Sequence, residues 1–199
     1  MIMGKLFCLM GKSGAGKDTI LKRLLADREL NLIPVIPYTT RPKRSREADG
    51  VEYHFIDEAA LQQYERAGAI IEKRAYKTVN GVWYYCTIDD GRIDLHSGNY
   101  ILIGTLETYQ KLKDFFGEDK IVPIYITVDD GVRLERALHR EKQQLKPNYE
   151  ELCRRFLADN IDYHEDRLKA CQIKKRYVNL DLEKCLSEIK HDLLKEIKG

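Results

Sequence analysis

The hydrophobic positions of this chain recur with two periods, one suited to strands and one to helices. Leu6 to Met10 is an unbroken apolar run closed by Gly11, the pattern of a strand buried on both faces. The run GKSGAGKDT occupies residues 11–19. Ile20, Leu21, Leu24 and Leu25 then follow at helical spacing, with Asp18 and Thr19 at the helix start. Leu32 to Ile36 predicts a second strand, and Pro34 within it implies a sheet edge or an irregular strand.

The stretch from about Tyr38 to Asp90 has a different character. YTTRPKRSREADG is polar, rich in Arg and Lys, and predicts a loop; VEYHFID alternates like a strand. Asp57 is placed to cap a helix running to Ala67, which Gly68 stops. AIIEKRAY and VWYYCTI predict two strands joined by a turn at Asn80-Gly81. The regular alternation then resumes. NYILIG predicts a buried strand, TLETYQKLKDFFG a helix ended by Gly117, and IVPIYITV another strand. A helix is expected from near Asp130, carrying Leu134, Ala137 and Leu138. After the polar EKQQLKPNYEE with its breaker Pro147, a long helix is predicted over about Tyr149–Lys169. The short strand RYVNL and an amphipathic helix from Leu182 close the chain. Strands alternating with helices predict an α/β fold with a parallel sheet covered on both faces.

With 199 residues, 43% hydrophobic and 33% charged, the chain suits one domain with small insertions and a real core. The 34 basic and 32 acidic residues nearly cancel, to +2, so nothing favours a surface built for a nucleic-acid polymer or a membrane. The five cysteines are odd in number and form no C-x-x-C pair, which predicts free thiols in a reducing compartment. The apolar N-terminus runs straight into the glycine run, so it reads as a strand and not a leader peptide. No stretch approaches the roughly 20 apolar residues of a membrane span. A cytoplasmic protein is expected.

Gly11, Gly16 and Lys17 fit the phosphate-binding loop Gly-x4-Gly-Lys-Ser/Thr, and a strand before and a helix after give it the right context. Backbone N–H groups at a helix N-terminus bind phosphate, and glycines let the backbone come close. Lys17 would reach the terminal phosphates. Asp18 departs from the pattern, which asks there for a hydroxyl that touches magnesium. A carboxylate also suits magnesium and the positive end of a helix dipole, and Thr19 offers a hydroxyl one residue later. In the basic loop, Arg41 and Arg44 stand beside Thr39 and Thr40, with Tyr53 beyond. Two guanidiniums and a phenol suit a phosphate monoester; a solvated basic loop is the plainer reading.

Taken in order, these motifs resemble the guanylate kinase family of nucleoside monophosphate kinases. GKSGAGKDTILKRLL resembles its phosphate loop and first helix, and TTRPKRSREADGVEYHF its monophosphate-binding segment. The resemblance implies a three-layer P-loop NTPase fold with a central parallel sheet, an inserted mixed-sheet monophosphate-binding subdomain and a helical lid. The core would be residues 1–37 and 91–199, the inserted subdomain 38–90 and the lid 137–152. It implies a guanine-reading carboxylate at Glu72, a Tyr-x-Thr element at Tyr85 and Thr87, and lid arginines at Arg136, Arg140 and Arg155. An asparagine beside adenine would be Asn179. ATP would lie along Gly11, Lys12, Ser13, Gly14, Ala15, Gly16, Lys17, Asp18 and Thr19, with Mg2+ at Asp18 and Thr19. GMP or dGMP would meet Arg41, Arg44, Tyr53, Glu72, Tyr85 and Thr87. Lys17, Arg136, Arg140 and Arg155 would carry the transfer, in a monomer or homodimer.

The chemistry agrees with those roles. Guanine presents N1–H and its amine side by side, and one carboxylate accepts both. Adenine would set an acceptor against the same carboxylate. Thr87 is expected to donate to the guanine carbonyl. Two departures stand out. A family serine that touches guanine aligns with Pro37, and two family acids align with Ile103 and Thr105. A related kinase acting on another phosphorylated acceptor (ribose 1,5-bisphosphate or another nucleotide) therefore stays open, as does a binding module without turnover.

Overall fold

In the computed structural model, residues 3–44, 47–78 and 81–198 are described, Thr78 by its backbone alone. Strand β1 (Leu6–Met10) is buried at all five positions. That burial follows from its place: β7 (Asn99–Ile103) pairs with it in parallel on one side and β8 (Ile121–Thr127) on the other. The edge strands are β2 (Leu32–Pro34) beside β7 and β9 (Tyr177–Val178) beside β8, giving the order β2-β7-β1-β8-β9. Pro34 lacks an N–H to donate, and the edge position tolerates that. The strand stops at Pro34 instead of reaching Ile36.

Parallel neighbours need crossover connections, and helices supply them. They are α1 (Lys17–Leu25), α3 (Leu106–Phe116), α4 (Asp130–Lys142), α5 (Tyr149–Asp162), α6 (Glu165–Ala170) and α7 (Leu182–Lys198). The alternation of β1 splits its side chains between two cores. Phe7 and Leu9 pack with Ile20 and Leu24 of α1 and Cys185, Ile189 and Leu193 of α7. Leu6, Cys8 and Met10 pack with Tyr109 and Leu112 of α3 and Leu168 of α6. The result is helix, sheet, helix: three layers. Among the described residues no helix is long and apolar enough to cross a membrane.

A second, mixed sheet lies between β2 and β7 in the chain. It comprises β3 (Tyr38–Thr39), β4 (His54–Phe55), β5 (Ile70–Thr78) and β6 (Gly81–Ile88), in the order β4-β3-β6-β5. β3 runs parallel to β4 and antiparallel to β6, and β5 is antiparallel to β6. Asp57 caps α2 (Glu58–Arg66) by accepting the Ala60 N–H at 2.7 Å. Gly68, at φ +66°, ends it. The turn expected at Asn80-Gly81 involves Asn80, which lies outside the described residues, as do Ser45 and Arg46 of the basic loop and Met1 and Ile2 of the N-terminus.

The structure differs from the periodicity in two places. Tyr38 and Thr39, expected in a loop, form β3. Tyr38 is buried against Leu61, Cys86 and Ile88, and the Thr39 hydroxyl donates to the Tyr84 carbonyl at 2.9 Å. The long helix predicted over Tyr149–Lys169 is two helices, α5 and α6, with a break at Tyr163 and His164. Tyr163 turns into the core and stacks on Tyr125, ring centroids 5.6 Å apart, while His164 is extended (φ −61°, ψ 149°) as the cap of α6. Residues 137–152 comprise the end of α4, the connection 143–148 and the first turn of α5.

Candidate active site

The glycine loop leaves β1 at the centre of the sheet and enters α1. Its shape depends on glycine at two close approaches. Gly14 (φ +82°) lies so near α4 that a Cβ would sit 2.8 Å from the Arg133 carbonyl; at Gly16 (φ +93°) it would sit 2.3 Å from Asn179 Nδ2. Both dihedrals also belong to the region that side chains disfavour. Asn179 is buried and donates to the Ala15 carbonyl at 2.7 Å. Arg136 reaches the same place, donating to the Asn179 carbonyl at 3.1 Å. Asn179, just past β9, and Arg136 of α4 therefore brace the loop.

Lys17 points back over the loop, donating to the carbonyls of Gly11 at 2.6 Å and Lys12 at 3.1 Å. Burial pulls its pKa below the ordinary lysine value, against the pull of Asp159 and Asp18; Arg140 and Arg133 add to the lowering. Lys17 thus lies within the electrostatic reach of Arg140. Asp18 and Thr19 stand in the first turn of α1, both exposed.

A network absent from the sequence reading holds the loop's outer side. Arg133 of α4 is 1% exposed. It donates to the Ser13 carbonyl at 2.9 Å, Asp130 at 2.9 Å, Asp159 at 3.4 Å and Asn160 at 3.3 Å. Its guanidinium also lies over Phe156, 4.3 Å from the ring centre. Lys12 donates to Asn160 at 2.7 Å. Apart from Asp130, three residues before it on α4, the partners of Arg133 come from distant segments that no local spacing announces. Arg140 and Arg155 point to solvent. Arg155 lies 3.5 Å from Glu151 and is 52% exposed. The lid arginines thus occupy three settings: Arg136 on Asn179, Arg140 near Lys17 and Arg155 out on α5.

The second sheet offers one lined face. Alternation along β5 puts Glu72, Arg74 and Tyr76 on the same side, opposite Thr87, Tyr85 and Trp83 of β6. A bulge between Ile70 and Glu72 shifts the register there, so Ile71 joins the main core while Glu72 keeps its place on the lined face. Glu72 is 4% exposed. It accepts the Thr87 hydroxyl at 3.0 Å, Arg74 Nε at 2.9 Å and Arg74 Nη2 at 3.3 Å. Burial opposes the charge on Arg74, but Glu72 outweighs it, and the guanidinium pKa lies above its usual value.

Further along the face, Arg41 is 4% exposed. It lies 5.4 Å from the Tyr53 ring centre, and Tyr85 lies close enough to help hold its pKa above the usual value, after Glu47. The Tyr53 and Tyr85 rings meet edge to face at 5.5 Å. Burial raises the Tyr53 pKa, so the phenol stays a donor. Arg41 holds Glu47 with both arms, at 2.7 and 3.0 Å. Hydrogen bonding from Arg41 keeps the Glu47 carboxyl below the usual carboxylate range. The Arg44 N–H also binds Glu47, at 2.8 Å, while the Arg44 side chain is exposed. The structure thus groups Arg41, Tyr53 and Tyr85, and separately Glu72 and Thr87, on one sheet face. Glu47 and Arg74 were missed in the sequence, although Arg74 sits two residues from Glu72, the spacing of strand neighbours on one side.

The chain has clear relatives. A family model described as "Guanylate kinase" matches residues 3–151. A guanylate kinase of Porphyromonas gingivalis is 29% identical over 191 residues, spanning 94% of this chain and 95% of its own. One of Paraburkholderia xenovorans is 30% identical over 191 residues, spanning 94% and 77%. The crystal structure of guanylate kinase from Anaplasma phagocytophilum superposes with a TM-score of 0.64 at 22% identity, covering 99% of this chain and 88% of that one; this last likeness concerns the fold.

Proposed function

The chain belongs to the guanylate kinase family, and from that premise we propose that it transfers the terminal phosphoryl group of ATP to GMP or dGMP, giving ADP and GDP or dGDP. The observation that carries the reading is the single lined face on which a buried carboxylate (Glu72) and an arginine–phenol cluster (Arg41, Tyr53, Tyr85) stand side by side. A base and a monophosphate on one nucleotide ask for those two chemistries next to each other.

The triphosphate of ATP would lie along Gly11–Thr19, with Lys17 turned from the loop carbonyls onto the terminal phosphates. Asn179 would border the adenine side while bracing Ala15. Asp18 and Thr19 fit Mg2+: both are oxygen donors, exposed in the turn next to Lys17. Magnesium is usually held by one or two carboxylates together with waters and substrate phosphates. When bound, the ion neutralises charge on the phosphate oxygens.

GMP would exchange its phosphate for Glu47 on Arg41, with Arg44, Tyr53 and Tyr85 completing the clamp. Glu72 would accept N1–H and the amine. Phosphoryl transfer needs alignment and charge neutralisation more than covalent help. Arg136, Arg140 and Arg155 would supply it as α4 and α5 close over the triphosphate and exclude water. The substrates are nucleotides, not polymers or membranes, and the setting is the cytoplasm, as monomer or homodimer.

ADP release measured against GMP, dGMP, AMP, CMP, UMP and ribose 1,5-bisphosphate tests the reading. Turnover confined to GMP and dGMP is expected. Turnover with the sugar phosphate alone, or none, would replace it. Glu72→Gln should lower kcat/KM for GMP by about 100-fold, the scale of a lost charged hydrogen-bond pair; an unchanged value removes Glu72 from the base site.

A further inference from the structure

We propose that Arg74 is a specificity-determining residue: its guanidinium reads the carbonyl oxygen O6 of the acceptor's guanine, a role that rests on the assignment of Glu72 to the base. A carboxylate offers about four lone-pair sites. In Glu72, Oε1 takes the Thr87 hydroxyl and Arg74 Nη2, and Oε2 takes Arg74 Nε. One site is left, and guanine brings two donors. One present contact must yield, and the 3.3 Å bond from Arg74 Nη2 is the weakest of the three.

The donors point the same way. Guanine O6 sits next to N1–H and needs a donor beside the carboxylate. Pro37 has no side-chain donor. Thr87 has a single hydroxyl proton, and it is directed at Glu72 at 3.0 Å. That leaves Arg74, whose Nη2 is the group released when guanine takes Glu72. Guanidinium to guanine O6 and N7 is among the commonest specific contacts with this base. The side chain is 18% exposed, so it keeps some contact with solvent on the lined face. It stands on β5 two residues from the carboxylate, directly across from Tyr85 of β6. Its Nε bond to Oε2 would remain, so carboxylate and guanidinium would form one continuous edge: accept, accept, donate. Adenine presents the opposite pattern at the last two positions, with an acceptor at N1 and an amine at C6, so Arg74 would add to its rejection.

The test compares GMP with 6-thio-GMP, which keeps N1–H and the amine but carries sulfur, a weak acceptor, in place of O6. The wild-type protein should prefer GMP. Arg74→Met should lower kcat/KM for GMP by roughly 10- to 100-fold, the range of a charged hydrogen bond, and should lower it much less for 6-thio-GMP, so that the preference shrinks towards one. Equal losses with both acceptors would overturn the proposal and leave Arg74 as a support for Glu72. Arg74→Lys keeps one charged donor without the fork and is read the same way, which covers the case of a misfolded Met variant; it should give a partial loss of preference, and an unchanged preference overturns the proposal. If Glu72→Gln leaves GMP turnover intact, it is the base-site assignment itself that falls.

Discussion

The side-chain carboxylate of Asp159 accepts the backbone N–H of Ser13 at 2.7 Å. An anion from α5 is thereby docked on the loop that the sequence marks as a phosphate cradle, and its field reaches Lys17. A triphosphate would bring several negative charges to the same place. Arg155 lies four residues earlier on the same helix, so α5 carries both a group that opposes phosphate and one that favours it.

Asp159→Asn removes the charge and keeps an acceptor for Ser13. Relief of one unit charge near the surface is worth on the order of 1 kcal/mol, roughly fivefold in Kd. ATP binding in the absence of GMP, followed by titration calorimetry, should tighten by about that factor. An unchanged or weaker Kd would make Asp159 a structural partner of Arg133 and nothing more.

Lys17 gives a prediction with two opposite signs. Burial pulls its pKa down, so the ligand-free fold holds this charge at a cost. Lys17→Met should raise the thermal midpoint at neutral pH, because the folded state no longer desolvates an ammonium. Turnover should fall by about 100- to 1000-fold, the scale of losing one preorganised charge donor at a transition state. A parallel fall in both quantities would show that the bonds to Gly11 and Lys12 matter more to the fold than the desolvation does.

The strand–loop–helix unit, from Leu6 through Leu25, was legible because everything that decides it is local: an apolar run, three glycines, then helical spacing. The same holds for α2, with its cap at Asp57 and its stop at Gly68. The break at Tyr163 was not legible, since it is the stacking on Tyr125, 38 positions away in the chain, that ends α5. Nor was the cluster around Arg133, whose partners Ser13 and Asp159 lie 120 and 26 residues off. Arg74 was within reach of the sequence: a strand of period two puts it beside Glu72. The Thr87 hydroxyl, expected to meet the guanine carbonyl, lies on Glu72 in the fold, a contact that only the cross-strand register reveals.

The Arg41–Glu47 pair makes stability depend on acid. The Glu47 carboxyl titrates below its ordinary value of 4.5 in the folded protein, chiefly through its hydrogen bonds from Arg41. A depressed folded pKa contributes stability that is present above the unfolded value and disappears as pH falls through the folded one. Urea midpoints should therefore decline below about pH 4.5. Glu47→Gln should make that decline shallower without abolishing it, because hydrogen bonding also lowers Glu151, and the net effect of their partners lowers Asp130 and Asp192. An acid limb identical to the wild type would show that solvent screens the pair at Arg41.

Arg133 is the test of how the loop is held. Its guanidinium is buried and fully engaged, by Ser13, Asp130, Asp159, Asn160 and the Phe156 ring. Arg133→Met keeps an apolar stem over Phe156 but strips the Ser13 carbonyl and two carboxylates of their donor. Breaking a buried ion pair from one side costs about 3–5 kcal/mol. Because Asp130 is 49% exposed and can recover water, the lower end, about 3 kcal/mol, is expected in urea unfolding. Arg133→Lys should recover little of it, since one ammonium cannot span four acceptors set around a planar fork. The ATP Kd should weaken in both variants, for Gly14 packs on the Arg133 carbonyl and the loop loses its outer brace. A loss below about 1 kcal/mol, the level of exposed pairs, would mean that Asp159 and Asn160 hold the loop through Ser13 and Lys12 on their own.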